Sequence, residues 1–372
     1  MTTKPIGLYI HIPFCREKCA YCDFCSFGGR TVDNINEYIS ALVREIESYK
    51  REPRIAIDTV YFGGGTPSLL LPSQLEIILN SVRDAFDICS DAEITMEMNP
   101  GTVTESTLKE YLSLGINRAS LGVQSIHDKE LKKLGRIHSF DDVLSVFNSL
   151  RRVGFDNISV DLMYGIPYQN IDTLGETLDK IISLAPEHIS AYGLIIEEGT
   201  RFYKERDSLP VPSDDEECDM YYLIAKRLAD AGYSHYEISN YAHPGRESRH
   251  NLKYWRDEEY IGVGLAAYSY FESKRFGNTR ILSDYISGVS VVDSEDIDRD
   301  ANMYEYAMMH LRLREGISLP EYERIFGVSF LDGREGLIKE YTSLGLVECT
   351  ENRISLTESG FYVSNTLLAN LL

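Results

Sequence analysis

Cationic side chains are scarce in this sequence. Its 372 residues hold 37 Lys and Arg against 58 Asp and Glu, a formal net charge of −21. A balance of that sign argues against broad binding to nucleic acid or to anionic membranes, since both need basic surface to release counterions, and leaves room only for a local basic patch. Long apolar runs are also missing: none reaches the roughly 18 residues of a membrane-spanning helix. The opening Met1-Thr2-Thr3-Lys4-Pro5 lacks the charged-then-apolar layout of a secretory leader. Cysteines are few and uneven. Of the seven, four lie between Cys15 and Cys25, while Cys89, Cys218 and Cys349 stand singly. That is not a disulfide framework; it fits a reducing cytosol, and a cytoplasmic location is expected.

The remainder is that of a globular chain, 43% hydrophobic and 26% charged, with room for a barrel-sized domain and a smaller one. Apolar β-rich runs at 6–11, 57–62, 93–98, 117–122, 157–162 and 188–194 alternate with amphipathic stretches at about 35–50, 72–86, 104–114, 139–153, 171–184 and 213–231. Six strand–helix units in succession predict a parallel sheet whose right-handed crossovers curl it into part of a barrel, an α/β fold of the partial (β/α)6 type. The domain reading is a core with its extension over 1–282, a polar acidic connector over 283–300, and a C-terminal helical domain over 301–372. That last part reads as helices at 302–314, 319–326, 333–344 and 357–371 with a short hairpin near Glu351-Asn352, a winged-helix-like arrangement. From position 293 onward it carries 15 Asp and Glu against 7 Lys and Arg, the wrong sign for a DNA-binding wing. A lid or a protein-docking surface is expected instead.

Cys15, Cys19 and Cys22 form a C-x3-C-x2-C run just after the first strand. Three thiolates in eight residues fit tetrahedral zinc poorly, because zinc takes four ligands in paired sets. They suit a [4Fe-4S] cluster with three protein-held irons and one open iron; the bland alternative is three reduced thiols on a loop. The spacing resembles that of the radical S-adenosylmethionine (SAM) superfamily. The resemblance implies a radical SAM, TIM-type partial barrel in which the open iron chelates SAM and electron transfer cleaves it to a 5'-deoxyadenosyl radical.

Barrel enzymes place their sites at the C-terminal ends of the strands. Each strand here ends in polar or Gly-rich sequence: Gly63-Gly64-Gly65-Thr66-Pro67, Glu97-Met98-Asn99-Pro100, Gly122-Val123-Gln124-Ser125, Asp161-Leu162-Met163-Tyr164-Gly165, and the segment through Tyr192. The glycine run allows close backbone approach to a ligand, and it lacks the Lys-Ser/Thr of a phosphate loop. These segments, with Tyr9-Ile10-His11-Ile12-Pro13-Phe14-Cys15 and Leu134-Gly135-Arg136-Ile137-His138, resemble the oxygen-independent coproporphyrinogen III oxidase-like family over nearly the whole chain. What that family implies is SAM contact from Tyr9, Tyr21, Gly65, Thr66, Glu97, Gln124, Arg136 and Asp161. His11 reads equally well as a satisfied barrel-core histidine.

Within that family the chain is similar to the haem chaperone (HemW-like) branch. The oxidase branch carries an N-terminal arm and a fourth cysteine one residue after the third; here the strand begins almost at Met1, and Cys25 follows Cys22 with Asp23-Phe24 between. Cys25 is read as a non-ligand, since a fourth thiolate would close the cluster. His250-Asn251-Leu252-Lys253-Tyr254-Trp255 resembles a segment of the chaperone branch, and His250 could give an axial nitrogen to haem iron beside aromatic surface. Tyr268 stands where that branch carries histidine, and its role is left open.

The resemblance therefore implies a protein that binds a [4Fe-4S] cluster, SAM and haem, and delivers haem to a haem-accepting protein, membrane-associated haem proteins included. It implies no nucleic-acid partner. The alternatives are oxidative decarboxylation of coproporphyrinogen III by SAM-radical chemistry, and a dimerising scaffold with a structural cluster. Whether the chain is an enzyme, and whether it is a homodimer, stay open at this point, and no catalytic residue is singled out.

Overall fold

In the computed structural model, which describes residues 4–29 and 32–372, the first strand shows how the chain is built. Strand β1 (Ile6–Ile12) is covered on both faces, and six of its seven residues are buried. Such a run suits a parallel strand covered on both sides. It pairs in parallel with β2 (Ile55–Gly64), which leads in parallel steps to β3 (Phe86–Met98), β4 (Arg118–Gln124), β5 (Ile158–Tyr164) and β6 (His188–Gly193). All six expected strands are present, and a parallel array of them puts all their C-terminal ends on one rim.

The helices between them start and stop where local chemistry dictates. Helix α1 covers Val32–Ser48, and α2 (Pro72–Ala85) opens on Pro72, whose missing N–H costs nothing in the first turn. Thr104 caps α3 (Glu105–Leu114), and Ser139 with Asp142 makes a capping box for α5 (Phe140–Val153). A short α4 (Asp128–Leu134), absent from the sequence reading, carries the chain from β4 back over the rim. Helices α6 (Ile171–Ser183) and α7 (Asp214–Asp230) follow, each with a side-chain N-cap.

The sheet does not close. Beyond β6 lie the short antiparallel strands β7 (Ser234–Glu237) and β8 (Asn240–Ala242). Beyond β1 lies a seventh parallel strand, β9 (Tyr260–Val263), then antiparallel β10 (Tyr268–Phe271), β11 (Lys274–Asn278) and β12 (Val291–Asp296). The acidic stretch expected to be a connector thus holds an edge strand, β12, with all six residues exposed. Its charges fit an edge because its outer side faces water. The opening Met1-Thr2-Thr3 lies outside the described residues. No helix among the described residues is long and apolar enough to cross a membrane.

The C-terminal part has its own apolar cluster, including Tyr306, Leu311, Tyr322, Phe330, Ile354 and Leu368. Its helices cover Arg299–His310, Leu319–Phe326, Glu335–Ser343, Glu358–Tyr362 and Ser364–Leu371, with a three-stranded sheet over Ile317–Ser318, Val347–Cys349 and Arg353–Leu356. The single helix expected over 357–371 is broken at Val363. Main-chain bonds from Ile238 to Arg312 and from Arg314 to Tyr236 join this part to the barrel.

Candidate functional site: a cavity down the barrel axis

A cavity of about 430 Å³ opens at the C-terminal rim, within the range of small-molecule sites. Cys15, Cys19 and Cys22 line it, as do Tyr21, Gly65, Thr66, Glu97, Gln124, Arg136 and Asp161. Of the expected SAM contacts only Tyr9 is missing from the wall. It sits below, stacked on Tyr61 and His250, with its hydroxyl on His11 Nδ1 at 3.0 Å.

The cysteine loop is fixed from several sides. The Ala20 N–H donates to Leu134 O at 2.9 Å, and the Ala20 carbonyl accepts from Phe202 N at 2.9 Å. His11 Nε2 meets the Cys25 carbonyl at 2.9 Å, so His11 steadies the loop from the strand below. The glycine run has the same task. Gly64 has φ 107°, and a Cβ there would lie 2.4 Å from the His11 ring; at Gly65 it would lie 2.7 Å from the Phe14 carbonyl. These glycines therefore admit the chain's own loop, and Gly64 and Gly65 also line the cavity, where backbone without a Cβ leaves room for a ligand to approach. Cys25 is off the cavity wall, its Sγ directed to Arg280 O at 3.8 Å.

All three lining thiols are free. Burial pushes the Cys22 thiol up to about 11 and raises that of Cys15 as well, so at neutral pH both stay protonated until a metal displaces the proton. Among the described residues no three His, Cys, Asp or Glu converge on a single ion. A cluster does not need that convergence, because each thiolate takes its own iron. The donor set fits such a group.

Opposite the loop stand the polar side chains of the rim. Glu97 accepts from Tyr61 Oη at 2.9 Å and from Gly64 N at 3.1 Å; burial, then the Asp161 charge, raises it to about 7. Asp161 accepts from Ser120 at 3.1 Å and Ser190 at 2.9 Å. Arg136 donates to Asn99 Oδ1 at 2.6 Å and to Tyr21 at 3.0 Å, while its buried Nε has no partner. Gln124 ends β4 at a register shift with φ 68°, a bulge that turns its amide to the cavity. A carboxylate, a guanidinium and an amide with spare capacity suit a zwitterionic, hydroxyl-bearing ligand such as SAM. The mouth is mixed: Phe24, Ile137 and Ile195, 61%, 60% and 70% exposed, stand beside the exposed charges of Arg16, Glu17, Lys18, Asp23 and Glu197.

His250 does not join this group. It lies at the other end of the barrel in helix α8 (Arg249–Trp255), where its main-chain N–H donates to Glu93 at 3.3 Å. Its ring is 1% exposed, with Nδ1 on Thr59 at 2.8 Å and Nε2 on Tyr254 at 2.7 Å. Burial, then the nearby Lys253 charge, lowers it to about 3, so it is neutral. With both nitrogens taken, it offers no lone pair to an iron, and the axial-ligand reading does not fit this placement. Tyr268 is 47% exposed on β10, away from the cavity wall.

Sequence reasoning missed Arg118, Ser120, His188, Ser190 and Asn251, which also line the cavity. The available signal was an arginine heading the otherwise apolar Arg118-Ala119-Ser120-Leu121-Gly122-Val123.

Residues 9–181 match the Radical SAM superfamily, and residues 297–363 match the HemN C-terminal domain. A Lactococcus lactis protein named heme chaperone HemW is 35% identical, covering 100% of this chain and 98% of its own. The proteins of that name from Bacillus subtilis and Escherichia coli are each 34% identical, covering 98% of this chain and 98% and 97% of theirs. Among solved structures, the coproporphyrinogen III oxidase HemN of Escherichia coli superposes with a TM-score of 0.88 at 23% identity, covering 99% of this chain and 90% of that one, a likeness of fold.

Proposed function

We propose a function from the premise that this chain belongs to the haem chaperone HemW family of radical SAM proteins. In this reading it binds a [4Fe-4S] cluster through Cys15, Cys19 and Cys22, and SAM against Tyr21, Gly65, Thr66, Glu97, Gln124, Arg136 and Asp161. It holds haem and passes it to a haem-accepting protein, a membrane-associated one included. The observation that carries the reading is one cavity with three free thiols on one wall, spare polar groups on the other, and exposed apolar side chains at its mouth.

When bound, the cluster and SAM would supply one-electron chemistry; the protein's own residues do the holding. Glu97, raised to about 7, ionises readily beside an ammonium group. The Arg136 guanidinium, already fixed by Asn99 and Tyr21, keeps Nε for an acceptor. Phe24, Ile137 and Ile195 give a flat tetrapyrrole apolar contact at the mouth.

The test is anaerobic reconstitution of the cluster, followed by SAM, reductant and coproporphyrinogen III, with a parallel haem titration. Haem binding with a clear Soret band and no protoporphyrinogen is expected. Protoporphyrinogen formation would make the chain an oxidase and overturn the reading.

A further inference from the structure

A chain of aromatic rings runs from the cavity to the far end of the barrel. It begins at Tyr61, which lines the cavity near the end of β2. The Tyr61 ring stacks on that of His250 at 5.2 Å between centroids, with the planes 25° apart. His250 meets Tyr254 edge-on at 5.0 Å, and Tyr254 meets Tyr260 edge-on at 4.5 Å. Tyr9 leans on both inner rings, 6.2 Å from Tyr61 and 6.4 Å from His250. Tyr260 opens β9 at the end of the sheet opposite the rim, and it is only partly buried. One end of the chain therefore faces the cavity and the other faces solvent.

Stacked rings are ordinary core packing. What distinguishes these is the partner of each inner hydroxyl. Tyr61 donates to the Glu97 carboxylate at 2.9 Å. His11 Nε2 carries a hydrogen, since it meets the Cys25 carbonyl at 2.9 Å, so His11 Nδ1 accepts from Tyr9 at 3.0 Å. Tyr254 Oη lies 2.7 Å from His250 Nε2, which accepts when the imidazole proton sits on Nδ1 beside Thr59. Tyr38, Tyr111 and Tyr233, by contrast, donate to main-chain carbonyls, which cannot take up a proton. A phenol that loses an electron must shed its proton as well, and a base within hydrogen-bond reach is what that step needs.

We infer that Tyr61, His250, Tyr254 and Tyr260 form a relay that carries an oxidising equivalent from the cavity to the surface at the base of the barrel. A one-electron oxidant in the cavity takes an electron from Tyr61, whose proton passes to Glu97. Tyr254 then returns the electron across the His250 ring and gives its own proton to His250 Nε2, while Tyr61 recovers its proton from Glu97. Tyr260 restores Tyr254 with an electron as His250 hands the proton back, and Tyr260 releases its own proton to water. A thiol in solution returns a hydrogen atom to Tyr260 and leaves as a thiyl radical. Tyrosine yields an electron to a strong oxidant but accepts none. The relay therefore discharges stray oxidising power and does not feed reducing electrons to a cluster. The inference rests on the proposed function only for the origin of the oxidant, the one-electron chemistry of that site.

The test supplies its own oxidant and needs no cofactor. In the ligand-free full chain, 3-aminotyrosine replaces Tyr61; it is more easily oxidised than tyrosine and serves as the sink. Flash-generated tris(bipyridine)ruthenium(III), too bulky to enter the cavity, oxidises tyrosines on the outer surface, so the relay is traversed inward. The aminotyrosyl radical is read by electron paramagnetic resonance, and a clear signal is expected. Tyr254→Phe and Tyr260→Phe should each remove most of it. Tyr304→Phe, which takes away an exposed tyrosine of the C-terminal part, should leave it unchanged. Should Tyr254→Phe fail to fold by circular dichroism, Tyr260→Phe decides. No radical at position 61, or a radical that persists in both variants, would overturn the relay. Neither result bears on haem or SAM binding, so the relay and the proposed function stand or fall separately.

Discussion

Two motifs stand out in this sequence, and the fold treats them in opposite ways. The cysteine loop is held by backbone bonds, leaving Cys15, Cys19 and Cys22 free on the cavity wall. In the His250–Trp255 segment the histidine and the lysine bond to the protein itself. His250 uses both ring nitrogens, and Lys253 pairs with Asp58 at 2.8 Å and Glu258 at 3.3 Å. Free reactive groups on a rigid frame are how binding sites are built, whereas groups that satisfy one another stabilise a fold. The contrast teaches that a motif can be diagnostic of a family while most of its side chains serve packing.

The comparison can be broken first at the loop. Cys19→Ser should eliminate the visible iron–sulfur absorption of the reconstituted protein while leaving its circular dichroism unchanged. A full signal in that variant would end the assignment of the loop. At the other motif, His250→Ala should cost about 2–4 kcal/mol in denaturant unfolding, from lost packing and two unpaired partners, with haem affinity unchanged in the folded protein. A collapse of haem affinity without loss of stability would return His250 to the role of ligand.

A third measurement sharpens the contrast by pH. Glu97 is raised to about 7, and a bound ammonium favours its charged form, so SAM affinity should rise with pH up to about 7 and level off above it. The rise below that point approaches about tenfold per pH unit and should flatten in Glu97→Gln. The same shift has the opposite effect on the ligand-free fold. A carboxyl raised in the folded state loses its stabilising contribution as pH rises from the unfolded value of 4.5 through about 7. The smallest effect belongs to Cys25→Ser. With its thiol off the cavity wall, the cluster signal should persist and stability should change by less than about 1 kcal/mol.

Much of this was readable before the structure. The six parallel strands announce themselves because strands buried on both faces are continuous apolar runs, and the rim residues follow because they end those runs. The sheet extension was hidden for the converse reason. Strand β12 is exposed on all six residues, and its four polar residues follow two valines without alternation, so nothing in its periodicity separates it from a loop. The position of His250 was illegible in another sense. Its chemistry suits a ligand, and only the tertiary placement of Thr59 and Tyr254 shows that both nitrogens are occupied. Arg118 could have been noticed as a charge in an apolar strand, but the unpartnered state of its Nε is a property of three-dimensional packing.

The open sheet has a consequence for how copies of this chain meet. A closed barrel has no free strand, but this one presents β12, whose outer backbone could template another chain's strand. Asp293, Glu295 and Asp296 line that edge, next to the exposed Val291 and Val292. When two copies approach edge to edge, like charges face one another before any backbone bond can form. The acidity of this strand therefore works against the joining of two twelve-stranded sheets into one.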